Sequence, residues 1–269
     1  MRIFDSHAHY DDGRFEAEFE GGYHEAIELS LRAGVCGIVN AGSSLRTTLS
    51  SVRLAEEYSF VYATAGIHPN DSQYVSLREL DSQLRQIEAL AVHDKVKAIG
   101  EIGLDYHYDD TDKERQFYAF GAQLEIAART GLPVVIHSRD AFADTLDFIF
   151  SNPGIKGVLH SYSGSAEDVP RIAKAGWYFS FSGPVTYKNA VRPKLAAAAV
   201  PADRILAETD APYLPPVPHR GEINCSAFLP HTLASIGEAR GISTEEAAEI
   251  TLRNAIEFYR IDPNTLYNA

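Results

Sequence analysis

The chain is poor in residues that staple, anchor or coat. Only two of its 269 residues are cysteine, Cys36 and Cys225. They lie far apart and form no CxxC, which excludes a disulfide framework and a thiolate zinc site and makes a reducing cytoplasm the expected compartment. No apolar run approaches the roughly 18 residues of a membrane helix, and the opening Met1-Arg2-Ile3-Phe4-Asp5-Ser6-His7 lacks the apolar core of a signal peptide. Cations are in the minority: 24 Lys+Arg against 37 Asp+Glu leave a net charge of -13. Such a charge repels nucleic acid and anionic membrane at long range unless it is segregated or offset by bound cations, so a DNA-coating protein and a membrane partner are both excluded. No P-loop, dinucleotide glycine fingerprint, GxSxG elbow or HExxH occurs. Linkers, low-complexity segments and short repeats are missing too, and no obligate protein partner is evident. With 45% hydrophobic residues, residues 1–269 are expected to form one large domain.

What is present is an alternation. Eight short apolar runs, at 2–5, 36–40, 60–65, 98–100, 133–136, 157–159, 178–182 and 205–207, are each followed by a turn and a stretch with helical spacing. The helices are expected at 22–33, 45–57, 75–91, 114–130, 141–150, 165–175 and 189–198, with two more at 228–239 and 244–259. Gly34, Gly131 and Gly176 read as helix stops, and Thr111 with Glu114 and Ser243 with Glu246 as capping boxes. Eight strand–helix pairs in this length point to an α/β fold, a (β/α)₈ TIM barrel, with an open doubly wound sheet as the alternative. The segment 211–224, with Pro212, Pro215, Pro216 and Pro218, reads as a functional loop over the barrel mouth.

Parallel barrels place their chemistry at the C-terminal ends of their strands, and the residues there are polar. Asp5, His7 and His9 follow the first strand, spaced by two so that an extended chain points all three to one side. Glu101, His137, His160 and Asp210 follow the fourth, fifth, sixth and eighth. His7, His9, Glu101, His137, His160 and Asp210 together make a complete ligand set for two divalent metals, with magnesium, manganese and zinc the candidates. Two close cations need a bridging anion, and Glu101 suits that better than Lys95 or Lys97, which precede the strand end. Asp210 combines a metal-facing oxygen with one able to take a proton from water. Glu208 reads as a salt-bridge partner. His68 is a candidate for holding or protonating a substrate oxygen, Asp105 and Tyr106 reach over the mouth, and Arg139 and Arg220 are the cations best placed for an anionic substrate. Tyr106, Tyr108, Tyr162, Tyr187 and Tyr213 can stack on bases, although rim tyrosines are ordinarily packing residues.

The segments Asp5-Ser6-His7-Ala8-His9, Gly66-Ile67-His68-Pro69, Gly100-Glu101-Ile102-Gly103-Leu104-Asp105-Tyr106, Val134-Val135-Ile136-His137 and Glu208-Thr209-Asp210-Ala211-Pro212-Tyr213 resemble the TatD family of metal-dependent hydrolases. With Pro216-Val217-Pro218-His219-Arg220-Gly221 they resemble its bacterial YcfH-like branch. The resemblance implies an amidohydrolase-like barrel and a two-metal phosphodiesterase, often described as a deoxyribonuclease. It implies that His7, His9, Glu101 and Asp210 hold one metal, that Glu101, His137 and His160 hold the other, and that His68 contacts the scissile phosphate. Cys225-Ser226 after Asn224, and Ser161-Tyr162 beside His160, depart from the family's pattern. The activity expected is hydrolysis of DNA, from a 3′ end because so acidic a chain leaves little room for a long nucleic-acid track. The rival is a small-molecule ester, lactone or amide hydrolase using the same metals.

Overall fold

The structure, a computed structural model, describes residues 1–267. Eight parallel strands follow one another in chain order around a single sheet. They are β1 (Ile3–Ala8), β2 (Val35–Asn40), β3 (Val61–Ala65), β4 (Val96–Asp105), β5 (Val134–Arg139), β6 (Gly157–Leu159), β7 (Tyr178–Phe181) and β8 (Ile205–Ala207). Only the β1–β8 seam lacks a regular ladder. There Ser6 Oγ donates to the Ala207 carbonyl at 3.0 Å, Asp210 N donates to the His7 carbonyl at 2.9 Å, and Ala8 bridges Ala211. These contacts bring the two edges together in a nearly closed (β/α)₈ barrel, as expected, and rule out the open sheet.

Around the strands run α1 (Arg14–Glu18), α2 (Gly22–Arg32), α3 (Leu45–Glu57), α4 (Pro69–Ser72), α5 (Leu77–Leu90), α6 (Lys113–Thr130), α7 (Phe142–Ser151), α8 (Val169–Lys174), α9 (Val191–Ala199), α10 (Leu229–Arg240) and α11 (Thr244–Tyr259). The short α1 and α4 were not expected, since a single turn carries no periodic signal. None of the described helices is long and apolar enough to cross a membrane. Ser243 caps α11, accepting from Glu246 N at 3.1 Å, and Gly34, Gly131 and Gly176 hold positive φ beyond their helices. The Thr111 capping box does not form. Asp112, one residue nearer the helix, accepts from Arg115 N at 3.0 Å, while the Thr111 hydroxyl donates back to the Tyr108 carbonyl at 2.7 Å.

Two apolar layers follow from the period of two along a strand. Phe4, Cys36, Tyr62, Ala98, Val135, Val158, Tyr178 and Leu206, one from each strand, form a cluster with Phe258 and Tyr259 of α11. Their strand neighbours, such as Ile3, Val61, Val134 and Ile136, pack into the larger cluster that includes helix residues. Continuing the first set by steps of two leads to His68, His137, His160, Glu208 and Asp210, which places them toward the mouth.

Candidate metal centre

Three of the six converging side chains, His7, His9 and Glu101, do not follow that parity. Three steps along β1, from Asp5 to Ala8, match two along β2, and three along β4, from Ile99 to Ile102, match two along β5. Each extra residue shifts the phase of the strand, as a bulge does, and His7 and Glu101 lie inside these irregular stretches. β4 therefore runs well past Glu101 to Asp105, whereas the apolar pattern placed the end of the strand before it. Gly103, at φ 139°, permits the extension, because a Cβ there would collide with the His137 carbonyl.

Asp5 leaves the expected row of three. Its buried carboxylate turns across the seam and accepts from Thr209 N at 2.9 Å, Thr209 Oγ1 at 2.5 Å and Ser226 Oγ at 2.5 Å. Burial pushes its pKa up to about 6 against the pull of these donors. Ser226, one of the departures from the family pattern, thus ties the loop after β8 to β1, and Asn224 Nδ2 secures the same loop on the carbonyls of Thr209 and Tyr213 at 2.9 and 2.7 Å. Asp210 sits there at φ 59°, a left-handed conformation that costs a non-glycine residue of order 1 kcal/mol and is held by the surrounding bonds.

The remaining donors meet in two groups. His7 Nε2 and His9 Nε2 are 3.1 Å apart. Glu101 Oε2 is 3.4 Å from the first and 3.6 Å from the second, and Asp210 Oδ1 is 3.6 and 3.4 Å from them. For metal–ligand bonds of about 2.1 Å, the edges of a tetrahedron are roughly 3.4 Å, so these five separations are of the length that ligands sharing one cation would show. On the other side Glu101 Oε1 lies 2.9 Å from both His137 Nδ1 and His160 Nε2, which are 3.2 Å from each other. His7, His9 and Glu101 on one side, and Glu101, His137 and His160 on the other, are of a composition and spacing able to hold a metal. Glu101 gives one carboxylate oxygen to each.

Two of the four rings have their outward nitrogen hydrogen-bonded, that of His160 only approaches a carboxylate, and the buried His7 Nδ1 has no partner among the described residues. His9 Nδ1 meets the Ala41 carbonyl at 3.1 Å, His137 Nε2 meets Asp105 Oδ2 at 3.1 Å, and His160 Nδ1 lies 3.4 Å from Glu208 Oε1. A carboxylate or carbonyl can only accept, so in a neutral ring such a contact favours the proton on the outer nitrogen and leaves a lone pair facing inward. Glu208 is itself fixed, accepting from Ser161 N at 2.6 Å and Ser180 Oγ at 2.5 Å. The expectation of a salt-bridge partner for it is met by His160, 3.4 Å away.

Charges within the group compensate one another. Burial alone would raise Glu101, but the imidazoles of His160 and His68 and the bonds from His137 and His160 bring it well below the carboxylate range. Burial opposes protonation of His9 and His160, yet Asp210 and Glu101 lift His9 to about 9, and Glu101 with Glu208 raises His160 well above the usual imidazole value. His68 behaves oppositely: burial, then the neighbouring His137, pushes it down to about 3. Its Nδ1 accepts from Asn70 N at 3.1 Å, so the neutral ring carries its proton on Nε2, 3.5 Å from Glu101 Oε1.

His9, His68, Glu101, His137, His160 and Asp210 line an open cavity of about 720 Å³ that also includes Asp105 and Arg139. Tyr106 and Arg220 are not among its lining residues. The Tyr106 hydroxyl donates to Asp144 at 2.6 Å, and the exposed Arg220 lies over the Tyr187 ring, 4.5 Å from its centroid. Arg46, in the first turn of α3, does line the cavity. The sequence signal for it is the stretch Gly42-Ser43-Ser44-Leu45-Arg46 just beyond β2, a strand whose end carries no histidine or carboxylate.

The sequence matches the family model described as TatD related DNase over residues 4–260. The chain belongs to this family. It is 38% identical to the metal-dependent hydrolase YabD of Bacillus subtilis over 97% of this chain and 100% of that protein. It is 34% identical to YcfH of Escherichia coli K12, over 99% and 98%. A relative named 3′-5′ ssDNA/RNA exonuclease TatD, from Pectobacterium carotovorum, is 32% identical over 91% of this chain and 96% of its own. The crystal structure of the TatD homologue YjjV of Escherichia coli K12 superposes with a TM-score of 0.88 at 30% identity, covering 97% of this chain and 99% of that one. The fold and enzyme class are thus those of a TatD-family metal-dependent hydrolase.

Proposed function

We propose that this hydrolase domain is a two-metal phosphodiesterase that removes nucleotides from the 3′ end of DNA in a reducing, cytoplasmic setting. The observation that carries the reading is the division of Glu101 between two imidazole groups, Oε1 toward His137 and His160 and Oε2 toward His7 and His9. In this reading His7, His9, Glu101 and Asp210 hold one cation, and Glu101, His137 and His160 hold the other, with magnesium, manganese or zinc as the metal. Bound divalent cations supply an acidified water and neutralise charge on phosphoryl oxygens. Asp210 turns Oδ1 toward His7 and His9, which leaves Oδ2 to orient the attacking water and take its proton. His68 donates from Nε2 to a phosphoryl oxygen, and as a neutral ring at working pH it does so without giving up its proton. Arg139 and Arg46 meet the neighbouring phosphates. The nucleic-acid substrate is supported by the exonuclease relative, and the overall charge of -13 favours contact with a few terminal nucleotides over a long track.

The test is a gel assay of chelator-stripped protein on single-stranded and 3′-recessed DNA, with magnesium, manganese or zinc restored singly and Glu101→Ala run in parallel. Stepwise shortening from the 3′ end that needs metal and disappears in the variant is the expected result. Intact DNA under all three metals, with two metals bound per chain, would replace this reading by a small-molecule ester, lactone or amide hydrolase.

A further inference from the structure

Five tyrosines occur near the barrel mouth in the sequence, and the structure sorts them. The Tyr106 hydroxyl is bound to Asp144, and Lys113 Nζ sits 3.8 Å from the centroid of its ring. Tyr162 is buried, with its hydroxyl donating to the Ser165 carbonyl at 2.9 Å. Tyr187 donates to the Pro215 carbonyl at 3.1 Å beneath Arg220. Tyr213 donates to Asp12 at 3.2 Å, with Arg14 over its ring at 4.0 Å.

Tyr108 differs from all four. Its ring is 48% exposed, lines the cavity, and its hydroxyl makes no hydrogen bond among the described residues. The nearest cation, the Arg139 guanidinium, stands 5.9 Å from its centroid, at the edge of cation–π reach, and the one ring packed on it, that of His107, meets it in a T-shaped contact with centroids 5.2 Å apart, so no parallel ring covers its face. Arg139 forms no salt bridge among the described residues. The backbone below the ring is nevertheless fixed: the Tyr108 carbonyl accepts from Thr111 N at 3.2 Å and Thr111 Oγ1 at 2.7 Å, and His107 N is tied to Asp105 Oδ1 at 2.9 Å. An exposed aromatic on a tethered loop beside an unpaired arginine combines the two elements of single-strand recognition, a stacking face and a phosphate contact.

We infer that Tyr108 is the platform on which an unpaired base near the substrate's 3′ end stacks, with Arg139 taking the adjoining phosphate. The inference rests on the phosphodiesterase reading and favours single-stranded or frayed ends, where the terminal base is free to leave its neighbours' stack. Tyr108 acts on affinity and does not enter the chemistry.

The experiment compares wild type, Tyr108→Ala and Tyr108→Phe, loaded with the metal that supports cleavage, on a single-stranded oligonucleotide and on the same strand made abasic over its last three nucleotides. Tyr108→Ala should raise KM on the intact strand by about tenfold, the scale of one lost base–aromatic stack, with kcat within a factor of about two. Wild type on the abasic strand should show the same loss, and Tyr108→Ala should add nothing further there. Tyr108→Phe should behave as wild type. A 3′-terminal 2-aminopurine should be quenched on binding to wild type and Tyr108→Phe but not to Tyr108→Ala. An equal KM rise on intact and abasic strands, or unchanged KM and quenching in Tyr108→Ala, overturns the platform while leaving the phosphodiesterase reading in place. A wild type that cleaves neither strand with its metals bound overturns both.

Discussion

Asp105 Oδ2 lies 3.1 Å from His137 Nε2, on the side of the ring opposite the Nδ1 that faces Glu101. The His137 and Asn70 hydrogen bonds, with one from His107 N, overcome the cost of burial and hold the Asp105 carboxyl down at about 2. It is therefore an obligate acceptor across the whole working range. Replacing it with an amide allows the ring to turn or to take the other tautomer. Asp105→Asn is expected to weaken metal binding on the His137–His160 side by about 10- to 100-fold and to leave the His7–His9 side near its original affinity. Metal titration of chelator-stripped protein followed by equilibrium dialysis reads both sites, and two unchanged affinities would show that the Asp105 contact is dispensable.

The pH dependence of the metal-free protein should run opposite to that of metal binding. His9 has a folded pKa of about 9 against an unfolded value near 6.5. Its ion pairs with Asp210 and Glu101 thus contribute stability that is fully present below pH 6.5 and lost as pH rises through 9, about 3 kcal/mol for a shift of this size. Coordination needs the neutral ring, so apparent metal affinity rises across the same window. Urea unfolding of chelated wild type should show stability falling from pH 6.5 to 9, with a flatter profile in His9→Gln. Stability that climbs over that interval in both proteins would contradict the assigned pairing.

Arg46 and Arg139 should matter more for an anionic substrate than Arg220. The first two line the cavity, whereas Arg220 is exposed and covers Tyr187. Arg46→Ala and Arg139→Ala are expected to raise KM on an oligonucleotide several-fold and to make its salt dependence shallower by about one phosphate contact each. Arg220→Ala should change KM by less than about twofold. Steady-state kinetics at several salt concentrations separates the three, and a dominant Arg220 effect would mean that the loop after β8 closes on the substrate.

Much of this molecule could be read from the chain alone, because the relevant signals are local. Apolar runs alternating with helical periods specify strand and helix within a few residues, and eight such pairs leave few architectures. The parity of a strand then places His137 with Val135, His160 with Val158 and Asp210 with Leu206. Tertiary structure decided the rest. His7 and Glu101 reach the centre through an extra residue in β1 and β4, a mismatch between paired strands that neither strand's own pattern contains. Asp5 shares a spacing with two histidines, but the β1–β8 seam supplies Thr209 and Ser226 as donors and turns it away from them. Tyr106 and Arg220 lost their anticipated place at the mouth to Asp144 and Tyr187, and Arg46 gained one because α3 begins at the rim. Sequence spacing determines which way a regular strand points a side chain; the partner it meets depends on where the other strands end.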